Sequence, residues 1–82
     1  MERPVESPAA ELVAEIAAAL SEVRRARGLR QVDVALLMGT TQSCVSDFER
    51  AKTNPELAFV ARYAAAVGAR LRVEVEPAEP EP

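Results

Sequence analysis

Apolar residues fall along this chain in four helical stripes followed by one strand-like alternation. Leu12, Val13, Ile16, Leu20 and Val23 recur at one, three, four and three residues, which predicts a helix over 8–27. Ser7 offers a capping hydroxyl, and Pro8 suits a first helical position. Glu11 and Glu15 lie early and Arg24, Arg25 and Arg27 late, as the helix dipole favours, and Gly28 is a terminator. Leu29 anchors a turn. Val32, Ala35 and Leu36, with Leu37 as a further candidate, give a short second helix over 31–38 closed by Gly39. Thr41 caps a third helix over 42–50. Val45 and Phe48 face inward from it, and Gln42, Ser43, Ser46, Asp47 and Arg50 face out. After the loop 51–55, Pro55 opens a fourth helix with Leu57, Val60, Ala61, Ala64 and Val67 on its inward side, ending at Gly68.

Beyond Gly68 the period drops to two. Leu71, Val73 and Val75 alternate with Arg70, Arg72, Glu74 and Glu76, which predicts a strand over 69–76. No other segment of the chain reads as a strand. A lone strand leaves its backbone groups unpaired, so its expected partner is the same segment of a second copy, antiparallel across a two-fold axis. The competing expectation is strand addition to another protein. Residues 1–7 lack periodicity and are expected to be flexible. Pro77, Pro80 and Pro82 among acids make 77–82 a disordered tail. The expected organisation is one helical domain over 8–68, a dimerisation strand and two flexible ends. The expected fold class is all-α with one C-terminal strand paired across a homodimer.

Composition narrows the chemistry. With 82 residues, one cysteine and no histidine, an intrachain disulfide is impossible and a Cys/His zinc site is not expected. A domain this small buries only about 60% of the surface its unfolded chain exposes, and a partner subunit is the remaining reinforcement. The lone thiol, Cys44, suits a reducing, cytoplasmic compartment and reads as a small half-buried filler. Glu11, Glu15 and Glu22 interrupt the first apolar stretch, so neither a signal peptide nor a membrane span is expected. The net charge of −3 conceals an asymmetry: residues 21–72 carry nine basic residues against five acids, and the flanks one arginine against eight acids. A basic middle keeps a polyanion as a candidate partner. Ser43 and Ser46 have no adjacent base, and there is neither a carboxylate pair in a cleft nor a glycine-rich phosphate loop. No catalytic residue, cofactor or small-molecule ligand is therefore expected.

The functional signal lies in the two short helices that meet around Gly39. Ala35 is small where two helices must cross, Gly39 accepts a positive φ in a tight turn, and Val45 and Phe48 hold the second helix on the first. The outward polar face of the second helix is what a DNA major groove requires. The run Gly28-Leu29-Arg30-Gln31, then Gly39-Thr40-Thr41-Gln42-Ser43-Cys44-Val45-Ser46, Phe48-Glu49-Arg50 and Asn54-Pro55 resembles the phage-repressor/Cro-like (XRE-type) helix-turn-helix family. So does the closing Ala61-Arg62-Tyr63-Ala64-Ala65-Ala66-Val67-Gly68. The resemblance covers about residues 12–68 and implies a lambda-repressor-like four-helix fold.

It also implies roles. Gln42, Ser43, Ser46 and Asp47 fall at base-reading positions, with Gln42 matching a glutamine that reads adenine bidentately. Gln31, Arg30, Thr41, Arg50, Lys52 and Asn54 fall at phosphate-contacting positions. Arg24 and Glu49 match an ion pair that ties the first helix to the third. Three residues depart from the pattern. Arg30 stands where a capping Ser, Thr or Asn is preferred, and Ala51 stands where glycine is common. Asp47 stands where a neutral or basic residue is frequent; it is expected either to face DNA or to pair with a neighbouring arginine. The implied partners are double-stranded DNA and a second copy of the chain. Relatives with a C-terminal strand resemble antitoxins that bind a toxin protein and repress their own promoter. Repressor, antitoxin, and a domain that only bridges proteins all remain open at this point.

Overall fold

The computed structural model describes residues 8–80, and the expected flexible segment 1–7, the Ser7 cap and the last two residues of the tail lie outside the described residues. Four helices follow in order: α1 (Pro8–Ala26), α2 (Gln31–Met38), α3 (Gln42–Glu49) and α4 (Leu57–Val67). α1 packs against α3 and α4, and α2 packs against the same two. Ala17 and Leu20 of α1, Val34, Ala35 and Met38 of α2, Val45 and Phe48 of α3, and Val60, Tyr63, Ala64 and Val67 of α4 form one core. Phe48 is its centre, with Phe59 edge-on at 5.4 Å and Tyr63 tilted at 5.0 Å between ring centroids. Such pairs add about 0.5–1.5 kcal/mol beyond the area they bury. No helix among the described residues is long and apolar enough to cross a membrane.

All four helices end in the same hydrogen-bond pattern. At the end of α2, the Gly39 amide donates to the Leu36 carbonyl and the Thr40 amide to that of Ala35, with Gly39 left-handed at φ 70°. This is the Schellman arrangement, which satisfies carbonyls that a helix end would otherwise orphan. Gly28 and Gly68 hold the equivalent place after α1 and α4. After α3 the left-handed residue is Ala51, at φ 56°, with Ala51 N–H on the Phe48 carbonyl and Lys52 N–H on that of Asp47. Ala51, standing where glycine is common, thus takes the left-handed conformation that an alanine holds under strain.

The structure corrects the expected faces and ends. On α2 the buried side is Val34, Ala35 and Met38; Val32, Leu36 and Leu37 are exposed, Leu36 at 81%. Almost every position of this helix is apolar, so hydrophobicity alone does not select its inner face. On α4, Leu57 and Ala61 face solvent and Tyr63 takes a core place. α4 begins at Leu57 because Glu56 keeps an extended backbone (ψ 154°), which puts Pro55 before the helix. α1 and α3 each stop one residue earlier than expected, where their terminal turns begin. Leu12 of the expected stripe is 56% exposed, and Ala17, which lay outside that stripe, is fully buried.

Residues 69–80 form neither helix nor strand, and no strand exists among the described residues. A β-ladder needs a second strand, and the described residues offer none. Of the three expected strand residues only Leu71 packs on this chain's own core; Val73 and Val75 are 73% and 89% exposed.

Replacing Ala51 with glycine should relieve the left-handed penalty and stabilise the domain by about 1 kcal/mol, a rise of several degrees in thermal unfolding followed by circular dichroism. Gly39→Ala should act in the opposite sense by a similar amount. Apart from the glycine and its chain neighbours, no atom lies within 4 Å of where its Cβ would stand, so the change isolates the backbone cost.

Candidate nucleic-acid interface

The face of interest begins at Thr41. Its extended backbone ends the turn after Gly39, and its hydroxyl accepts from the Cys44 amide at 3.1 Å, starting α3. The first turn of α3 then presents Gln42 and Ser43, both exposed, and the next turn presents Ser46 and Asp47, both half-buried. Spacings of three and four residues put these side chains on one side, opposite buried Val45 and Phe48. Arg50, Lys52 and Asn54 are exposed at the end of α3 and in the loop that follows. The structure thus brings the expected base-reading residues onto one face, with two cations beside it. The Asp47 carboxylate makes no hydrogen bond or ion pair among the described residues, so the expected pairing with a neighbouring arginine is absent.

Behind this face lies a buried carboxylate. Glu49 accepts from Arg24 Nε at 2.7 Å and Nη2 at 3.0 Å, as the sequence reading expects, and from Gln31 Nε2 at 3.0 Å and the Tyr63 hydroxyl. One side chain from each of the four helices meets there. The side chains of Arg24 and Glu49 are only 11% and 7% exposed. The chain of contacts runs on outward, from Gln31 Oε1 to Gln42 Nε2 at 3.4 Å. Gln31, half-buried, therefore links the core to the exposed face. Arg24 Nη1 also donates to the Leu29 carbonyl at 2.8 Å and pins the turn between α1 and α2.

Burial pushes the Glu49 carboxyl upward, but the hydrogen bonds from Arg24, Tyr63 and Gln31 outweigh it and hold the group below its ordinary value. Burial, reinforced by the hydrogen bond to Glu49, pushes the Tyr63 phenol well above its ordinary value. The network is thus a carboxylate held by protonated donors throughout the neutral range.

Arg30 is placed differently from the simple expectation. Its side chain gives α2 no cap acceptor, but Asp33 compensates by accepting from the Arg30 amide at 2.8 Å. The Arg30 guanidinium lies on the same carboxylate, at 3.1 and 2.9 Å, so a phosphate would share it with Asp33. Three contributors escaped the sequence reading: Tyr63, Asp33 and Arg62. Asp33 stands three residues after the cap position, a readable capping pattern. Arg62 donates to the Met38 carbonyl at 3.4 Å and lies over Phe59 at 5.9 Å, contacts that no spacing encodes. Cys44 is half-buried, as expected.

Comparison with known proteins agrees with this geometry. The profile of a family described as a helix-turn-helix domain matches residues 15–78. The antitoxin HigA1 of Mycobacterium tuberculosis is 45% identical over 58 residues, 71% of this chain and 39% of its own. HigA3 of the same bacterium is 43% identical over 65 residues, 77% of this chain and 60% of its own. This chain therefore matches well under half of the length of HigA1. Among solved structures, the restriction-modification controller protein C.AhdI from Aeromonas hydrophila superposes with a TM-score of 0.70 at 28% identity. That match covers 78% of this chain and 93% of the controller's.

Glu49→Gln should cost about 3 kcal/mol or more, because it leaves Arg24 buried without its counter-charge. The pH dependence follows from the lowered carboxyl. Its contribution is complete above the ordinary glutamate value of 4.5 and is lost as pH falls through the folded value below it. Unfolding midpoints should be level from pH 7 to about 5 and drop beneath about 4.5. The Glu49→Gln variant should show a shallower drop, leaving the part due to Asp33, which Arg30 also holds low.

Proposed function

The chain belongs to the helix-turn-helix domain family, and on that premise we propose that it is a sequence-specific DNA-binding transcriptional repressor. It acts as a homodimer on a palindromic operator, with α3 in the major groove. The observation that carries this reading is the polar face of α3, Gln42, Ser43, Ser46 and Asp47, with its leading glutamine tied through Gln31 to a buried four-helix network. Rigid backing of this kind is what a base-reading side chain needs if one hydrogen-bond pattern is to be preferred over others. Gln42 and Ser43 read bases. Thr41, Arg50, Lys52 and Asn54 hold phosphates, with Arg30 at their edge; Gln31, expected among them, reaches a phosphate only through the second N–H of the amide that already donates to Glu49. A dimer places two such helices about one turn of DNA apart, roughly 34 Å, which matches two-fold operator symmetry.

A second reading is favoured by the similarity to HigA1, which is described as an antitoxin. In that reading the chain also neutralises a partner toxin and represses their shared operon. The two roles are compatible, and an adjacent reading frame for a small toxin distinguishes them.

Selection of bound sequences from random DNA should yield a palindromic consensus. No enrichment at all defeats the DNA-binding reading, and an asymmetric consensus defeats the homodimer. On the selected site, Gln42→Ala should cost about 1–3 kcal/mol while changing affinity for random DNA little. Lys52→Ala should weaken both and lower the slope of log affinity against log salt by about one unit. Asp47→Asn removes an unpaired acid from the DNA-facing side. It should strengthen binding to random DNA or shift base preference across a panel of sites; identical profiles for variant and parent remove Asp47 from the interface.

A further inference from the structure

The C-terminal segment carries Val73 and Val75 in solvent beyond the last helix. Its first apolar residue, Leu71, sits against α1 beside a hollow lined by Ile16, Ala19, Leu20 and Val23. We infer that residues 70–76 pair antiparallel with residues 70–76 of a second copy in one register, with Val73 facing Val73 on the two-fold axis. The inference deepens the homodimer reading given above by naming the surface and its alignment.

Three features of the segment select that register. The first is parity: residues directly opposite in an antiparallel pair point to the same side, so apolar must face apolar. This restricts the axis to a residue position rather than a gap between residues. The second is charge. With Val73 on the axis, Arg72 faces Glu74 and Arg70 faces Glu76, and each pair occurs twice by symmetry. With the axis on Arg72 or Glu74, like charges meet at the centre. With the axis on Leu71, Arg70 meets Arg72, and with the axis on Val75, Glu74 meets Glu76. Only the Val73 register opposes every charge with its counter-charge.

The third feature is the pair of ends. In this register Ala69 stands opposite Pro77. The Ala69 amide is already bonded to the Ala64 carbonyl at 2.8 Å, closing α4, and Pro77 has no amide. Neither can donate to a ladder. An antiparallel ladder alternates bonded and non-bonded pairs, and Ala69 and Pro77 fit without loss as a non-bonded pair. By alternation Val73 is then also a non-bonded pair, the closer kind, with Cα atoms about 4.5 Å apart. Leu71 of one copy has Val75 of the other beside it on the apolar side. Each copy's exposed Val75 is thereby carried to the α1 hollow of its partner.

The full-length protein tests this without DNA. In a Cys44→Ser background, Val73→Cys should form an interchain disulfide under mild oxidation, since its Cα separation falls within disulfide range. Val75→Cys should not, because it faces Leu71. In sedimentation equilibrium, Arg72→Glu and Glu74→Arg should each weaken the dimer about tenfold, and the double exchange should return it to within about threefold of the parent. Helical circular dichroism checks that each variant is folded. A double exchange as weak as the single variants, or Val75→Cys linking as readily as Val73→Cys, overturns the register. A parent protein that stays monomeric overturns the pairing itself. The operator selection is a separate measurement. A dimer that passes these tests and enriches no DNA leaves the inference standing and the repressor reading failed. Intact palindromic binding with charge exchanges that change nothing does the reverse.

Discussion

A single carboxylate holds this domain in shape. Glu49 sits where all four helices come together, and its oxygens are taken by an arginine, a glutamine and a tyrosine from the other three. Desolvating a charge is costly, and only this complete set of donors makes the burial tolerable. The cost enforces geometry: if any of the three helices shifts, the charge loses a donor in a place water cannot easily fill. The apolar core, built on alanine, valine and three aromatic rings, is tolerant of small slides. The carboxylate is not. It therefore sets the angles at which α3 stands on the rest of the molecule, and with them the posture of Gln42, Ser43, Ser46 and Asp47.

Much of this was legible in the sequence, for identifiable reasons. Gly39 marks the turn because a left-handed residue is needed there, and Val45 and Phe48 mark the inner side of α3 because its other positions are polar. Family resemblance placed Arg24 with Glu49 and singled out Gln31 and Gln42. The sequence Gln-Val-Asp-Val-Ala-Leu-Leu-Met of α2 concealed its orientation, because an almost wholly apolar helix shows no stripe. Packing against α3 and α4 chose Val34, Ala35 and Met38 and left Leu36 and Leu37 outside. Tyr63 was hidden for a different reason. An aromatic with a hydroxyl reads equally as core or rim, and its partner is fourteen residues away. The strand was legible only as a pattern, since pairing is a property of two segments and the chain contains one.

The ends of the helices explain how so short a chain makes four sharp reversals. Each reversal is built into the helix terminus itself, where two amides fold back onto the last carbonyls. The connecting residues need little structure of their own. Glycine does this without strain in three places, and alanine does it with strain in the fourth, directly after the helix whose polar outer face is exposed. Arg50 and Lys52 flank that strained residue, so two exposed cations beside the face are carried next to the one left-handed non-glycine residue among the described residues.

The buried carboxylate also gives its contacts a direction. Ionised, it can only accept, so Gln31 must turn its amide nitrogen inward and its carbonyl outward. Gln42 points an N–H at that carbonyl, at 3.4 Å. What remains at the surface is a carbonyl oxygen and one N–H in a fixed order along the helix. An amide that is free to flip presents two mirror-related patterns and distinguishes little between them. Here the sense of the outermost amide is dictated two hydrogen bonds away by a charge almost wholly withdrawn from solvent. The grammar of the exposed face, which atom gives and which receives, is written in the core.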